Sequence, residues 1–453
     1  MKKIRQIGII TLLILTMATL VFAETTMTVY NQNFATVRVP LVLSLQKGIN
    51  QYSLADIPSA IEPTSVHLTP GRKSDKVIIT MQNFEYDLAN TNKILNKYLD
   101  QKIEVITKNN ALHSGILKAF DATNIIIQQE NASGITMVNQ EEIQNINLER
   151  MPENFYTKPT LNWELLSNRE GNFDVKLSYI TRNISWNAQY VGVLSEDEKM
   201  LNLASWISLD NRSGKAYQDV NLKLMAGEVH LAPGYRPPVY TEEMRMVSDK
   251  GGAPEVVEER FFEYHLYTVK ERTLDINNNQ QKQLSLFDPT EVNVKKVYTY
   301  NCNSEGDVDV SIKFQNTKEN GLGIPLPAGR VRIFKKYSET DEEFIGEDTI
   351  DHIPEDEEVT LKVGTAFDIK ADCTTTLSER PTKDTRRESY KIEIRNRKDE
   401  DINVEVLKYL GRNWEVERTD KEYEKKDAFT VKFDVSVPAK QTTEFSFTVL
   451  YKY

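Results

Sequence analysis

The stretch Phe173-Asp-Val-Lys-Leu-Ser-Tyr179 decides the fold, because large apolar side chains alternate strictly with polar ones. Successive side chains of a β-strand point to opposite faces, so this spacing places an apolar row against a core and a polar row in water. The stretch therefore predicts a half-buried strand. The same alternation recurs at 220–224, 308–314, 390–394, 429–437 and 445–451.

Many strands of this length, separated by Asn, Gly, Asp and Pro turns, are typical of packed antiparallel sheets. Helical patterns do not alternate with the strands, which argues against a parallel α/β fold. We therefore predict an all-β, multi-domain protein built from antiparallel β-sandwich units. Its 453 residues exceed what one core usually serves.

One segment, between Asp87 and Asp100, predicts a short helix followed by a small barrel. Short strand patterns come directly after it, and a helix with about five strands suits an SH3/Sm-like barrel over 88–150. This barrel lacks the interleaved aromatic and basic residues that stacking on bases requires, so a packing or spacer role is favoured. The helical spacing comes from Ile94, Leu95, Tyr98 and Leu99, with Asp87, Asn90 or Asn92 as the candidate N-cap.

The remaining domain boundaries follow from breaks in these patterns. Proline and glycine breakers recur from Leu231 onward without any period, which predicts a mobile loop at 231–259. We expect the amino-terminal β-segment to complete a later sheet. The predicted order is a signal peptide at 1–23, the β-segment at 24–87, the barrel at 88–150, one sandwich at 151–290 and another at 291–453.

The first residues predict export. Lys2, Lys3 and Arg5 precede an apolar run that ends at Val21-Phe-Ala23, a sequence that a signal peptidase accepts. The mature chain is then expected to begin near Glu24, in a periplasmic or extracellular location. A retained membrane anchor is the alternative. No second long apolar run follows, so no membrane span is expected after signal removal.

Charge limits the class of partner. The formal net charge is −11, and nucleic-acid binding depends on clustered Lys and Arg that this chain does not show. We expect no nucleic-acid partner. The acidic surface would instead select neutral, basic or cation-bridged partners.

Cys302 and Cys373 are the only cysteines of the chain. In an oxidising compartment, two thiols of one mature chain can form a disulfide. Two free, buried thiols are the alternative, because the sequence does not place their Cα atoms within bridging distance.

Three tryptophans are the candidate ligand residues. Trp163, Trp186 or Trp206 could present an exposed aromatic platform to sugar rings. The favoured interpretation is structural, because large apolar side chains such as these fill the space between two sheets.

No catalytic, cofactor-binding or metal-binding constellation is apparent. The five histidines are far apart in sequence, and neither a Gly-x-Ser-x-Gly turn nor a phosphate-binding loop occurs. The densest acidic cluster, 341–358, predicts a solvated face, with weak calcium binding as the next interpretation. The histidines are His67, His113, His230, His265 and His352.

Several stretches resemble the bacterial domain-of-unknown-function 4139 family. Trp186-Asn-Ala-Gln-Tyr190, Asn211-Arg-Ser-Gly214 and Gly321-Leu-Gly-Ile-Pro-Leu-Pro-Ala-Gly329 are similar to its recurring motifs, and 29–66 resembles its amino-terminal portion. Some members are labelled mucoidy-inhibitor-like, which implies envelope or extracellular-polysaccharide biology without a reaction. Many members have a coiled coil where this chain has its small barrel, so partner preference does not transfer directly.

Two functions remain open. The first is an exported, non-enzymatic β-rich scaffold or binding protein of the cell envelope, which recognises a protein or a polysaccharide. The alternative is a hydrolase that cleaves extracellular polysaccharide through a paired-carboxylate site. A concave pocket that gathers two carboxylates, or a carboxylate and a histidine, would favour the hydrolase.

Overall fold

A computed structural model describes residues 24–86, 91–129, 134–150, 156–231, 256–270, 273–304 and 306–453. Within these ranges the backbone is almost entirely β-structure, with one short α-helix and five sheets. The predicted all-β class is confirmed. The leader at 1–23 and residues 232–255 of the predicted mobile loop lie outside the described residues.

The amino-terminal part forms five strands, and the third of them alternates half-buried and exposed positions along its whole length. They are β1 (Thr25–Tyr30), β2 (Phe34–Leu45), β3 (Gly48–Ala55), β4 (Ile61–Pro70) and β5 (Val77–Glu85).

Next comes a helix with a five-stranded antiparallel sheet, in agreement with the predicted barrel. The helix α1 (Thr91–Lys97) ends three residues before the predicted Asp100, and Asn92 lies inside it instead of capping it. Asp87 and Asn90 lie outside the described residues. Leu95 and Tyr98 pack on the branched side chains of the sheet. The strands, in the spatial order β10-β6-β7-β8-β9, are β6 (Lys102–Thr107), β7 (Leu112–Phe120), β8 (Asn124–Gln128), β9 (Ile135–Asn139) and β10 (Ile143–Leu148), the last preceded by a 3-10 turn at Gln140–Glu142.

Nine further strands follow, and the largest core takes side chains from three sheets. The strand predicted from Phe173–Tyr179 is confirmed as β12, and the end of the predicted loop belongs to β16. The strands are β11 (Thr160–Ser167), β12 (Gly171–Arg182), β13 (Ile184–Leu194), β14 (Met200–Asn211), β15 (Tyr217–Ala226), β16 (Val256–Phe261), β17 (Tyr264–Val269), β18 (Leu274–Ile276) and β19 (Gln280–Asn293).

The amino-terminal strands complete sheets made by these later strands. β1 pairs in parallel with β15, from Thr25 opposite Val220 onward, and antiparallel with β2. An eight-stranded sheet therefore runs β16-β17-β15-β1-β2-β12-β4, with β18 on β15, while β3-β11-β5 forms a separate three-stranded sheet. The expectation that the amino-terminal segment completes a later sheet is confirmed.

The carboxy-terminal part supplies the remaining eleven strands. Nine of them form one sheet in the order β27-β30-β25-β24-β21-β20-β26-β29-β28. They are β20 (Lys295–Asn301), β21 (Asp307–Gln315), β22 (Gly329–Lys336), β23 (Glu342–Ile350), β24 (Glu358–Thr382), β25 (Thr385–Asn396), β26 (Ile402–Tyr409), β27 (Trp414–Thr419), β28 (Glu424–Lys425), β29 (Thr430–Val437) and β30 (Thr442–Lys452).

A fifth sheet, β19-β14-β13-β22-β23, combines strands from both sides of residue 290. β13 and β22 pair in parallel from Ala188 opposite Gly329. A Cβ atom at Gly329 would lie 2.2 Å from the carbonyl oxygen of Ala188. Glycine is therefore required where the two strands first meet. The predicted domain boundaries stay a prediction.

The turn at Asn211–Gly214 connects two different sheets, because β14 and β15 do not pair with each other. Asn211 is fully buried, and its Nδ2 donates to the carbonyl oxygens of Lys215 (2.9 Å) and Asn277 (3.1 Å). Its Oδ1 accepts hydrogen bonds from the backbone N–H of Ser213 (3.1 Å) and from the Ser213 hydroxyl (2.8 Å). One amide side chain thus satisfies buried polar groups on both sides of the crossing.

Candidate functional site

A cavity lies where the five-stranded sheet of β13 and β22 meets the nine-stranded sheet. Its volume is about 250 Å³. Junctions of this kind are common ligand sites, because two packed units leave a concave surface between them. We call it the lysine cleft, and its polar and aromatic wall consists of Glu198, Lys296, Tyr298, Lys335, Phe367, Asp368 and Lys398.

Separate chain segments bring these side chains together. Glu198 occupies the turn between β13 and β14 with φ of 60°, a conformation that the tight turn from Ser195 to Met200 requires. Lys335 lies near the end of β22, and Lys296 lies near the start of β20. Phe367 belongs to β24, while Lys398 follows β25. The cleft therefore exists only when the two sheets are assembled.

Glu198 bridges the two sheets. One carboxylate oxygen accepts a hydrogen bond from Lys296 and the other from Lys335. Burial acts to raise the pKa of Glu198, but the two ammonium groups outweigh it, so the pKa is lowered. The carboxyl group therefore stays ionised and holds both lysines in fixed positions.

The aromatic ring of Tyr298 lies close to the ammonium groups of two lysines. The ammonium groups of Lys296 and Lys398 lie 5.5 Å and 5.4 Å from the centroid of its ring. Lys398 Nζ also donates to the Tyr298 hydroxyl and to Glu400, at 2.9 Å each. Burial acts to lower the pKa of Lys398, but these two partners raise it above its ordinary value. Lys398 thus keeps its charge in the cleft.

Phe367 is 91% exposed at the edge of this cleft. An exposed phenyl ring offers an apolar face, while the neighbouring ammonium and carboxylate groups offer strong hydrogen-bond donors and acceptors. A ligand that has both apolar C–H faces and many hydroxyl groups matches this combination. The arrangement suits binding.

We expect Glu198→Gln to lower the free energy of unfolding by about 1–2 kcal/mol at neutral pH, because it leaves two partly buried ammonium groups without their shared anion. The folded pKa of Glu198 is lowered, so its stabilisation is complete above the ordinary value of 4.5 and is lost as the pH falls through the folded value. The difference between variant and wild type should therefore shrink on acidification. Urea unfolding at several pH values measures it.

The exposed neighbour Glu196 provides the matched control. Glu196→Gln should change the free energy of unfolding by less than about 0.5 kcal/mol. An equal loss in both variants, or a Glu198 effect that grows in acid, would contradict the bridging role.

A second, larger cleft lies beside the connection between β19 and β20. It has a volume of about 610 Å³, and its wall includes Glu319, Glu358 and Glu405. A concave surface lined by carboxylates is a feature that would favour a hydrolase. One oxygen of Glu358 lies 3.5 Å from Nζ of Lys313, and the Glu358 side chain is half exposed.

The three predicted platform tryptophans lie in different environments. Trp163 and Trp186 are only 1% and 2% exposed and belong to the largest core, as the structural interpretation expects. Trp186 donates its indole N–H to the carbonyl oxygen of Met225 at 3.1 Å. Neither presents a ring face to a ligand in this structure. Trp206 alone is exposed, on β14.

Two of the five histidines interact. Burial chiefly lowers the pKa of His352, and the nearby His265 lowers it further, while Asp351 opposes both. His352 accepts a hydrogen bond at Nδ1 from the backbone N–H of Ala328 (3.1 Å). His265 Nδ1 lies 2.7 Å from Glu258 on the neighbouring strand. The proximity of His265 and His352 was not predicted, because the two residues lie far apart in the sequence.

The other predicted residues have local partners. Cys302 and Cys373 are free thiols, and they lie in the same core.

In the acidic cluster, Glu347 lies 3.5 Å from Arg330 and 3.6 Å from Arg332. Within the described ranges, His, Cys, Asp and Glu side chains form no group of three able to hold a metal ion.

The motif Pro325-Leu-Pro327 has a structural role. The hydroxyl groups of Tyr190 and Tyr267 donate to the carbonyl oxygens of Pro327 (2.7 Å) and Pro325 (3.1 Å). Leu326 makes a single bridge with Ile353, ahead of β22. These contacts fix the chain just before it joins β13.

The fold is that of a multi-sheet, all-β protein with a cleft at a sheet junction. The family model described as a domain of unknown function, DUF4139, matches residues 175–453, which is more than half of the chain. The chain belongs to this family. No curated protein matches it. The amino-terminal motifs lie outside the match, and their resemblance stays a prediction. Among the described residues, none of the helices could cross a membrane.

Proposed function

We propose that this protein is an exported, non-enzymatic binding protein of the bacterial cell envelope, and that its lysine cleft recognises a polysaccharide. The observation that carries the proposal is the exposed Phe367 ring beside charged donors and acceptors at a sheet junction. The leader-like residues before Glu24 support export.

The charge balance of the cleft supports this choice of partner. Three lysines face Glu198, Asp368 and the adjacent Glu400, so the positive and negative groups offset each other. A partner that binds through charge alone gains little in such a place. Sugar hydroxyl groups can both donate to carboxylates and accept from ammonium groups, and their C–H faces pack on an aromatic ring.

We expect Phe367→Ala to weaken binding of the recognised polysaccharide by about 3- to 10-fold, because the apolar face of the sugar loses its stacking partner. Titration calorimetry with defined bacterial polysaccharides and their oligosaccharides measures the change. Titrations of the wild-type protein identify which polysaccharide binds. The affinity of the variant is then measured for that polysaccharide.

Phe262→Ala is the matched control, since Phe262 is 84% exposed in the turn between β16 and β17 and is not part of the cleft wall. It should bind as tightly as the wild type. Equal losses in both variants, or an unchanged affinity in Phe367→Ala, would contradict the assignment. A partner that proves to be a protein would replace the polysaccharide in this role.

A polysaccharide hydrolase is the second candidate, because Glu319, Glu358 and Glu405 line the larger cleft. Such an enzyme needs one protonated and one ionised carboxyl group on opposite sides of the scissile bond. In the described chain, the carboxyl groups with a shifted pKa are all shifted downward, as for Glu198 and Glu388, where ammonium, guanidinium or hydroxyl partners favour the ionised form. New reducing ends in the binding mixtures, abolished by Glu358→Gln, would favour the enzyme.

A further inference from the structure

The two cysteines of the chain meet at one place in the nine-stranded sheet. Cys302 follows β20 directly, in the turn that leads to β21, and Cys373 lies within β24. The end of this turn is tied to β24, because the backbone N–H of Ala371 donates to the carbonyl oxygen of Gly306 at 3.3 Å. Both cysteines pack in the same hydrophobic core of this sheet.

The surrounding core holds this pair in position. Cys302 is 8% exposed, and Cys373 packs against the same cluster that contains Tyr300 and Ile392. The backbone N–H of Cys302 donates to the carbonyl oxygen of Leu407 at 2.8 Å. Two thiols that share one core on anchored backbone can reach disulfide geometry through side-chain rotations.

We propose that Cys302 and Cys373 form a disulfide in the oxidised protein, which fastens the β20–β21 turn covalently to β24. The chain has no other cysteine, so the bond has only one intramolecular arrangement. The inference is independent of polysaccharide recognition.

Cys373 is the nucleophile of this step. The hydrogen bond from Cys302 lowers the pKa of the Cys373 thiol, and the nearby Lys408 lowers it further, although burial acts in the opposite direction. The same hydrogen bond and burial raise the pKa of Cys302. Cys373 is also the more exposed of the two residues, so an oxidant reaches it first.

The oxidant is a second disulfide, either glutathione disulfide or that of a thiol oxidoreductase. The Cys373 thiolate attacks one of its sulfurs, so a mixed disulfide forms and one thiolate leaves. Cys302 then loses its proton and attacks Cys373 Sγ, which expels the second thiolate. The two cysteines are oxidised by two electrons, and the oxidant is reduced to two thiols.

The test uses the mature chain from Glu24 to Tyr453, incubated with glutathione disulfide or with dithiothreitol. Each sample is then denatured and alkylated with iodoacetamide for intact-mass measurement. We expect no alkyl group on the oxidised protein and two on the reduced protein. Proteolysis of the oxidised protein should release one cross-linked peptide pair that contains both cysteines.

Cys302→Ser and Cys373→Ser should each take up a single alkyl group under both conditions. A lowered melting temperature on reduction should occur in the wild type and vanish in the double variant, because only the wild type has a cross-link to lose. Two alkylated thiols after oxidation, or disulfides only between chains, would overturn the proposal. The intact mass of the oxidised and alkylated wild-type protein decides whether the disulfide forms, even if a variant fails to fold.

Discussion

Asn211→Asp is expected to lower the free energy of unfolding by about 3–5 kcal/mol, because it puts an unpaired buried charge where an amide now donates. The new carboxylate would face the carbonyl oxygens of Lys215 and Asn277 at the present donor distances of 2.9 and 3.1 Å. Asn and Asp side chains have nearly the same shape, so the lost free energy of unfolding measures the change in polarity and charge. Urea unfolding at neutral pH measures it.

The same change at Asn202 is the control, because this residue is exposed on the same strand, β14. Asn202→Asp should shift the free energy of unfolding by less than about 0.5 kcal/mol. A similar loss at both positions would refute the idea that Asn211 fastens the crossing between the two sheets.

A second buried asparagine makes a similar set of hydrogen bonds in the nine-stranded sheet. Asn396 is also fully buried, at the end of β25. Its Nδ2 donates to the carbonyl oxygens of Glu400 (2.8 Å) and Val437 (3.1 Å), and its Oδ1 accepts from the backbone N–H of Lys398 (3.0 Å). Lys398 belongs to the lysine cleft, so this asparagine also positions a cleft residue.

Trp163→Ala is expected to cost about 3–5 kcal/mol, because removing a large core side chain loses burial and leaves a cavity. Trp163 lies on β11, the central strand of the three-stranded sheet, with 1% exposure. Its indole N–H donates to Oε1 of Gln82 at 2.7 Å, and its ring stacks on Tyr52 with centroids 6.1 Å apart. Thermal and urea unfolding should both show the loss.

Trp206→Ala gives the comparison at an exposed site. Trp206 is 43% exposed on β14, so its truncation removes less burial and should cost less than about 1 kcal/mol. Nearly equal losses at the two tryptophans would contradict the division into a core residue and a surface residue.

Strands were predictable because their side-chain period is local. The alternation in Phe173–Tyr179 needs no distant partner to be recognised, and β12 extends over all of it. The helix was harder to delimit, because its amphipathic spacing continues past Lys97 to Leu99 although α1 ends at Lys97. Asp100 has φ of 61°, and its backbone N–H donates to the carbonyl oxygen of Leu117, so a contact with the barrel decides where the chain turns.

The lysine cleft could not be predicted, because no short segment contains it. Glu198, Lys296 and Lys335 lie far apart in the sequence, and each by itself resembles an ordinary surface charge. Their convergence requires the parallel pairing of β13 with β22 and the placement of β20 in another sheet. The exposure of Phe367 could not be predicted either, because a phenylalanine in a strand is usually buried.

The sequence by itself determined the all-β class, the positions of the main strands and the membership of its family, because side-chain alternation and motif residues are properties of neighbouring positions. Only the tertiary structure decided which strands pair and which tryptophan faces solvent. It alone brought Cys302 and Cys373 into the same core and gathered the three lysines around one cavity. Those outcomes depend on how sheets pack across long stretches of chain, and the free energy of that packing is shared among many distant residues.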